Sequence, residues 1–171
     1  MLLATFDIKM HQSVLRKSQT FKLSHAEKLY IPYTLFNLYL VNWISLGGME
    51  FAFDNDGLTS DGAEALCTTI GGKLYEPRDA SVMQDVTNQA KTAGINEFWI
   101  GINDKYQEGT FVYSSNNAPL LFTNWASGEP NNHNQEEDCA IIISSNGKWN
   151  DLHCTDNERS TVCMRAPGKY F

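Results

Sequence analysis

The chain has 171 residues, 42% of them apolar, which is one domain's worth with room for an appended segment. Its net charge of −7 is unevenly spread: residues 1–48 carry five basic and two acidic side chains (+3), whereas residues 49–171 carry eight and eighteen (−10). An acidic body of this kind is a poor partner for nucleic acid or an anionic membrane, which need basic surface, and it suits a cation site.

Residues 1–48 have no sharp signature. "MLLATF" is too short for a signal h-region and runs at once into Asp7 and Lys9. Residues 29–46, "LYIPYTLFNLYLVNWISL", are more apolar and follow Arg16, Lys17, Lys22 and Lys28. A basic flank before an apolar span suits a membrane anchor with its C-terminal side outside. Pro32, Asn37 and Asn42 interrupt the span, and 18 residues is the lower limit for crossing a bilayer. Three readings stay open: an anchor or uncleaved signal, an amphipathic neck or added strand, and a segment absent from the mature protein. No heptad, internal repeat or Gly-X-Y tract is sustained.

From residue 49 the pattern is α+β. "EFAFD" (50–54) alternates as a strand does. "LTSDGAEALCTTIGG" predicts a helix with Thr59 or Ser60 as N-cap, an apolar face of Ala63, Leu66, Cys67 and Ile70, and a stop at Gly71-Gly72. "DASVMQDVTNQAKTAG" predicts a second, capped by Asp79 or Ser81, with a stripe of Val82, Val86, Ala90 and Ala93 and a stop at Gly94. Strand signals follow at 98–103, 110–114, 139–144, 148–151 and 160–165, with a hairpin signal at Asn146-Gly147. Two helices followed by short strands indicate α+β. Residues 115–138 have almost no periodicity, and a loop that long in a compact domain is usually functional or disordered.

The four cysteines, Cys67, Cys139, Cys154 and Cys163, form no C-x-x-C pair, which argues against a zinc ribbon or a thioredoxin-like motif. An even, widely spread set reads as two disulfides and an oxidising compartment, and sequence alone permits three pairings. The alternative is four reduced core cysteines. Three of the four fall in the last 33 residues beside a polar loop, which favours disulfides.

That loop carries the most specific chemistry. Glu129, Asn131, Glu137, Asn150 and Asp151 place three carboxylates and two amides within 23 residues. Ca²⁺ takes about 6–8 oxygen ligands of these kinds. Five side-chain oxygens leave coordination positions open for ligand hydroxyls. Asn, Asp, Glu and Pro are also ordinary loop residues, so the cluster gains meaning only in a wider pattern.

In that wider pattern residues 49–166 resemble the C-type lectin-like domain, and specifically its carbohydrate-binding members. The resemblance rests on Cys67, "WIGI" at 99–102, Trp125, "EPN" at 129–131, "EDC" at 137–139, "WND" at 149–151 and Cys163, in order and spacing. It implies a C-type lectin-like fold of two helices, short antiparallel sheets and a long Ca²⁺-binding loop, with disulfides Cys67–Cys163 and Cys139–Cys154. It implies a cis Glu129–Pro130 bond, a state that X-Pro bonds reach cheaply. It implies a primary Ca²⁺ held by Glu129, Asn131, Glu137, Asn150 and Asp151. The first four of these would also meet sugar hydroxyls, and Glu-Pro-Asn implies mannose, N-acetylglucosamine or fucose rather than galactose. A second Ca²⁺ site is implied at Asp104, Glu108, Glu137 and Asp138. Asn132 departs from the acid that relatives often carry and should weaken that site. Asp104 and Glu108 read equally well as turn residues. His133 could touch the sugar, although a loop histidine is more often merely solvated. Phe98, Trp99, Trp125 and Trp149 read as core rather than sugar-stacking aromatics.

The expectation is therefore a Ca²⁺-dependent lectin and not an enzyme. It would recognise terminal sugars of glycans or glycoproteins in innate immunity or cell recognition, and it would not bind nucleic acid. It would be secreted or anchored with its domain outside, and a homo-oligomer for avidity. The alternative is a protein-binding module of the same fold that binds no sugar. A two-carboxylate glycosidase built on Glu129 and Glu137 is disfavoured, because both would stay ionised against Ca²⁺. Residues 1–48 stand apart as a segment of open role, and 167–171 as a short tail.

Overall fold

The structure, a computed structural model, describes residues 41–168. The basic flank and most of the apolar run at 29–46 lie outside the described residues, and with them the anchor and neck readings. The end of that run forms a strand, β1 (Ile44–Leu46), which pairs antiparallel with β2 (Met49–Leu58). Helix α1 (Ser60–Thr69) follows, then β3 (Lys73–Leu74) and helix α2 (Ala80–Thr92). The remaining strands are β4 (Glu97–Asn103), β5 (Val112–Tyr113), β6 (Cys139–Ile143), β7 (Lys148–Leu152) and β8 (Arg159–Arg165).

Both helices are bounded by local chemistry. The Thr59 hydroxyl accepts the Gly62 N–H and caps α1, and the Asp79 carboxylate accepts the Val82 N–H and caps α2. Each helix ends on a left-handed glycine, Gly71 (φ 80°) and Gly94 (φ 78°). The next residue in each case donates back to a carbonyl of the last turn, Gly72 to Cys67 at 2.8 Å and Ile95 to Ala90 at 3.0 Å. Glycine reaches that conformation without the Cβ penalty of other residues.

The strands form one sheet in the order β1-β2-β8-β4-β6-β7, with β3 on β8 and β5 on β4. Pairing is antiparallel except between β4 and β8. Alternate residues of each strand enter two apolar clusters. Phe51, Phe98, Ile100, Ile102, Ala140, Ile142, Val162 and Met164 pack with Met83, Val86 and Ala90 of α2 and with Leu120, Phe122 and Trp125 of the long loop. Ala52, Trp99, Cys139, Ile141 and Cys163 pack with Ala63 and Cys67 of α1. Each sheet face is thus covered, which is why "FWIGI" and "CAIII" read as continuous apolar runs rather than alternating ones. Burying a side chain the size of Met83 or Val86 stabilises by about 1.5–3 kcal/mol. The buried stripe of α2 is Met83, Val86, Thr87 and Ala90; Ala93 is its exposed C-cap.

Two disulfides, Cys67–Cys163 and Cys139–Cys154, join α1 to β8 and the start of β6 to the chain after β7. Glu76, 2% exposed, ties the β3–α2 connection to the segment after β5. Its carboxylate receives Lys73, the Arg78 guanidinium at 2.9 Å and the Ser115 N–H at 2.9 Å. Burial alone would raise its pKa, but these donors outweigh it and hold the group below the usual carboxylate value.

Candidate functional site

β7 is the foundation of the site. Along it Trp149 and Asp151 are buried, while Lys148, Asn150 and Leu152 are half-buried. The long loop lays residues 124–126 beside it: Trp149 donates to the Asn124 carbonyl at 3.0 Å, and Ala126 donates to the Trp149 carbonyl at 2.8 Å. Trp125 sits edge-on to Trp149 (5.5 Å between centroids) and to Phe111 (4.7 Å). These aromatics are packing groups: Phe98, Trp99 and Trp149 are fully buried and Trp125 is half-buried. A turn closed by Glu129 N–H to the Ala126 carbonyl (3.1 Å), with Gly128 at φ 93°, then brings Glu129 to β7. The Glu129–Pro130 bond is cis.

Asp151, with no exposed surface, holds the next stretch. Its Oδ1 accepts the Asn131 N–H at 3.1 Å and its Oδ2 the Asn132 N–H at 2.8 Å. The Asn131 amide donates to Glu129 Oε2 at 2.6 Å. His133–Gln135 form a short 3-10 turn, after which Glu137 Oε2 accepts the His133 N–H at 2.8 Å. Glu129, Asn131, Glu137 and Asp151 are therefore linked through the loop's own hydrogen bonds. Asn150 stands half-buried beside Asp151 and has no side-chain hydrogen bond to these four. His133 is exposed and meets the group only through its main chain.

The pKa of Glu129 is raised, first by desolvation and then by the adjacent Asp151 carboxylate and the charge of Glu137, against the Asn131 amide. No lysine or arginine pairs with Glu129, Glu137 or Asp151 among the described residues. No three His, Cys, Asp or Glu side chains converge as a metal cluster among those residues, so a cation here would draw on the amide oxygens of Asn131 and Asn150 as well. A donor set of oxygens only, with three carboxylates and no counter-charge, fits Ca²⁺ and not a thiolate- or imidazole-loving metal.

A second acidic group lies after β4. Asp104 is 2% exposed; its Oδ2 accepts the Gly109 N–H at 2.8 Å, while its Oδ1 is buried without a partner. Its pKa is pushed up to about 6 by desolvation, with the charges of Glu108 and Asp138 adding to it against the Gly109 hydrogen bond. Its N–H also donates to the Asp138 carbonyl at 3.1 Å. Asp104, Glu108 and Asp138 are thus neighbours. Glu137 is engaged instead with His133 and Asn132.

Residues 56–165 match the family described as the lectin C-type domain. The chain belongs to the C-type lectin domain family. Bovine pulmonary surfactant-associated protein D is 37% identical over 122 residues, which is 71% of this chain and 32% of that protein. The mannose-binding protein of Gallus gallus is 40% identical over 103 residues, 58% of this chain and 37% of that protein. The chain thus spans about a third of the length of these curated relatives. Among solved structures, the cow carbohydrate-recognition domain of CD23, determined in the presence of a GlcNAc2Man3 oligosaccharide, is 31% identical with a TM-score of 0.65. That match covers 72% of this chain and 92% of the CD23 domain. Carbohydrate binding is the general function that this membership supports. No helix among the described residues of this C-type lectin domain is long and apolar enough to cross a membrane.

Proposed function

We propose that this C-type lectin domain binds terminal mannose-type sugars in a Ca²⁺-dependent way, as a secreted glycan-recognition protein and not an enzyme. The observation that carries the reading is the loop's own bonding: Asp151 accepts the Asn131 and Asn132 N–H groups, the Asn131 amide donates to Glu129, Glu137 accepts the His133 N–H, and no lysine or arginine pairs with these carboxylates among the described residues. Glu129, Asn131, Glu137, Asn150 and Asp151 would hold the ion, and when bound it supplies open coordination positions for two vicinal hydroxyls. The chain's own part is directional. A hydroxyl has one proton to give and lone pairs to accept with, so it fits between a carboxylate that accepts and an amide that donates. Glu129 with Asn131 forms one such couple, and Glu137 with Asn150 the other. In the structure the Asn131 amide donates to Glu129 directly, a bond that an entering hydroxyl would replace with one to each partner. Ligation of Ca²⁺ needs Glu129 and Glu137 as carboxylates, so neither could serve as a general acid, which is why the reading is binding and not glycoside cleavage. Asp104, Glu108 and Asp138 would offer a weaker second cation site, to which Asn132 adds no charge.

The test is retention on immobilised mannose and on immobilised galactose, each with Ca²⁺ and then with a chelator. Retention on mannose that the chelator releases is the expected result. In the variant Glu129→Gln with Asn131→Asp, donor and acceptor are exchanged, and retention should move to galactose. Retention on neither resin, or retention that the chelator leaves unchanged, would overturn the reading in favour of a protein-binding module.

A further inference from the structure

Two of the site's carboxylates, Glu137 and Asp151, come from separate stretches, the approach to β6 and the middle of β7. One residue touches both. The Asn132 N–H donates to Asp151 Oδ2 at 2.8 Å, and the Asn132 Oδ1 accepts the Glu137 N–H at 3.1 Å. To do this Asn132 sits in the left-handed region, at φ 43° and ψ 55°. Asparagine tolerates that region better than most side chains, because its short amide can satisfy neighbouring backbone. The segment after it is also unusual: Asn134 (φ 57°) and Gln135 (φ 64°) are left-handed as well, in a turn that the Gln135 N–H closes on the Asn132 carbonyl at 2.8 Å. Beyond that turn, Glu137 itself is held by its own N–H on the Asn132 side chain and by its carboxylate on the His133 N–H.

We propose that Asn132 is a positioning residue. Its side chain and main chain lock Glu137 to Asp151, so that the loop holds its ligand geometry before any cation arrives. An aspartate could accept the same hydrogen bond, but it would add a fourth carboxylate to a group that no lysine or arginine pairs with among the described residues. The neutral amide supplies the geometry without that charge. In sequence Asn132 registers only as a missing acid. The structure gives it a positive role, one that rests on the lectin reading for its consequence though not for its geometry.

The experiment compares the wild-type chain with Asn132→Gly and Asn132→Asp. Glycine keeps the left-handed backbone and the N–H to Asp151 but removes the acceptor for Glu137; aspartate keeps the acceptor. Two readouts are taken: hydrogen exchange of the Glu137 amide in chelator, and Ca²⁺ affinity by calorimetry. Asn132→Gly should expose the Glu137 amide to faster exchange and weaken Ca²⁺ binding about tenfold, as loss of an outer-shell partner does. Asn132→Asp should keep the Glu137 amide protected. Exchange at Glu137 that is equal in wild type and Asn132→Gly overturns the proposal, whatever the ion does. Exchange that depends on Asn132 in a wild-type protein without Ca²⁺ affinity upholds the positioning role and overturns the lectin reading alone.

Discussion

At the scale of single residues, two buried carboxylates in this domain meet opposite environments and are shifted in opposite directions. Asp104 has one hydrogen bond from Gly109 and two acidic neighbours, so burial wins and its pKa rises to about 6. Glu76 is equally secluded, but Lys73, Arg78 and the Ser115 N–H converge on it, so its pKa falls despite burial. The sign for Glu76 is that of a depressed acid. Its contribution is present above the unfolded pKa near 4.5 and is lost as pH falls through the lower folded value. Glu76→Gln removes the charge but keeps the shape. It should destabilise the fold at pH 7 by roughly 2 kcal/mol, the scale of hydrogen bonds to a charged group, because Lys73 and Arg78 are partly exposed and recover some hydration. Denaturant titrations of both proteins at pH 7 and pH 3 check this. The gap should shrink at pH 3, and a gap that stays constant would show that the charge of Glu76 does not stabilise the fold.

At the scale of elements, the helices and long strands were legible because each announces itself by periodicity or by a sustained apolar run. Thr59, Asp79, Gly71-Gly72 and Gly94 bound the helices as their chemistry predicts. The misses have one cause, which is shortness or tertiary context. β3 has two residues and β1 three, too few for alternation to show, and β1 closes the apolar run at 29–46 that also suggested an anchor. On α2 the expected stripe holds at Val86 and Ala90, and Val82 packs half-buried on the core, whereas Ala93 is exposed; Met83 and Thr87 are buried beside them, the Thr87 hydroxyl bonding the Met83 carbonyl at 2.7 Å. β6 and β7 are joined through the four turn residues 144–147, with Gly147 at φ 71°, so the Asn-Gly signal gave the hairpin but not its loop length. In the loop the composition of the site was readable and its internal bonding was not, since no pattern in "EPNNHNQEED" says that Asn132 faces Glu137. The Cys139–Cys154 bridge links the residues just after Glu137-Asp138 to those just after Asn150-Asp151, and so it braces both halves of the site. Cys67–Cys163, 96 residues apart in sequence, braces α1 on β8 instead. Loop entropy assigns about 3 kcal/mol to a 15-residue closure and about 4.7 kcal/mol to one near 100 residues. Paired Cys→Ala variants should therefore separate stability from binding. Loss of Cys139–Cys154 should weaken Ca²⁺ affinity in protein that is still folded, and loss of Cys67–Cys163 should lower the thermal midpoint more while leaving the affinity of the folded fraction unchanged. Calorimetry and thermal scans on the two variants decide it, and equal loss of affinity in both would remove the bracing role from Cys139–Cys154.

At the scale of the whole molecule, one site on one domain limits what can be bound. The cluster at Glu129–Glu137 lies among half-buried and exposed loop residues, so a sugar bound there as proposed would exchange water for a few hydroxyl contacts and bury little apolar surface. The exposed large apolar side chains, Tyr106 and Leu121, are only two, which leaves little surface for an extended hydrophobic grip among the described residues. On the proposed function, tight capture of a glycan-coated surface would come from several copies acting together, because linking sites turns the second binding event into an intramolecular one. Displaying the chain at one and at four copies per particle on a dense mannose surface should raise apparent affinity by about 10²–10⁴-fold. Free mannose should bind each copy with the same weak affinity in both formats, because no contact changes. The chelator should abolish binding in both, since clustering multiplies the site but does not replace it. Tight capture by the single copy that survives the chelator would mean that another surface of this domain, not the Glu129–Asp151 site, makes the contact.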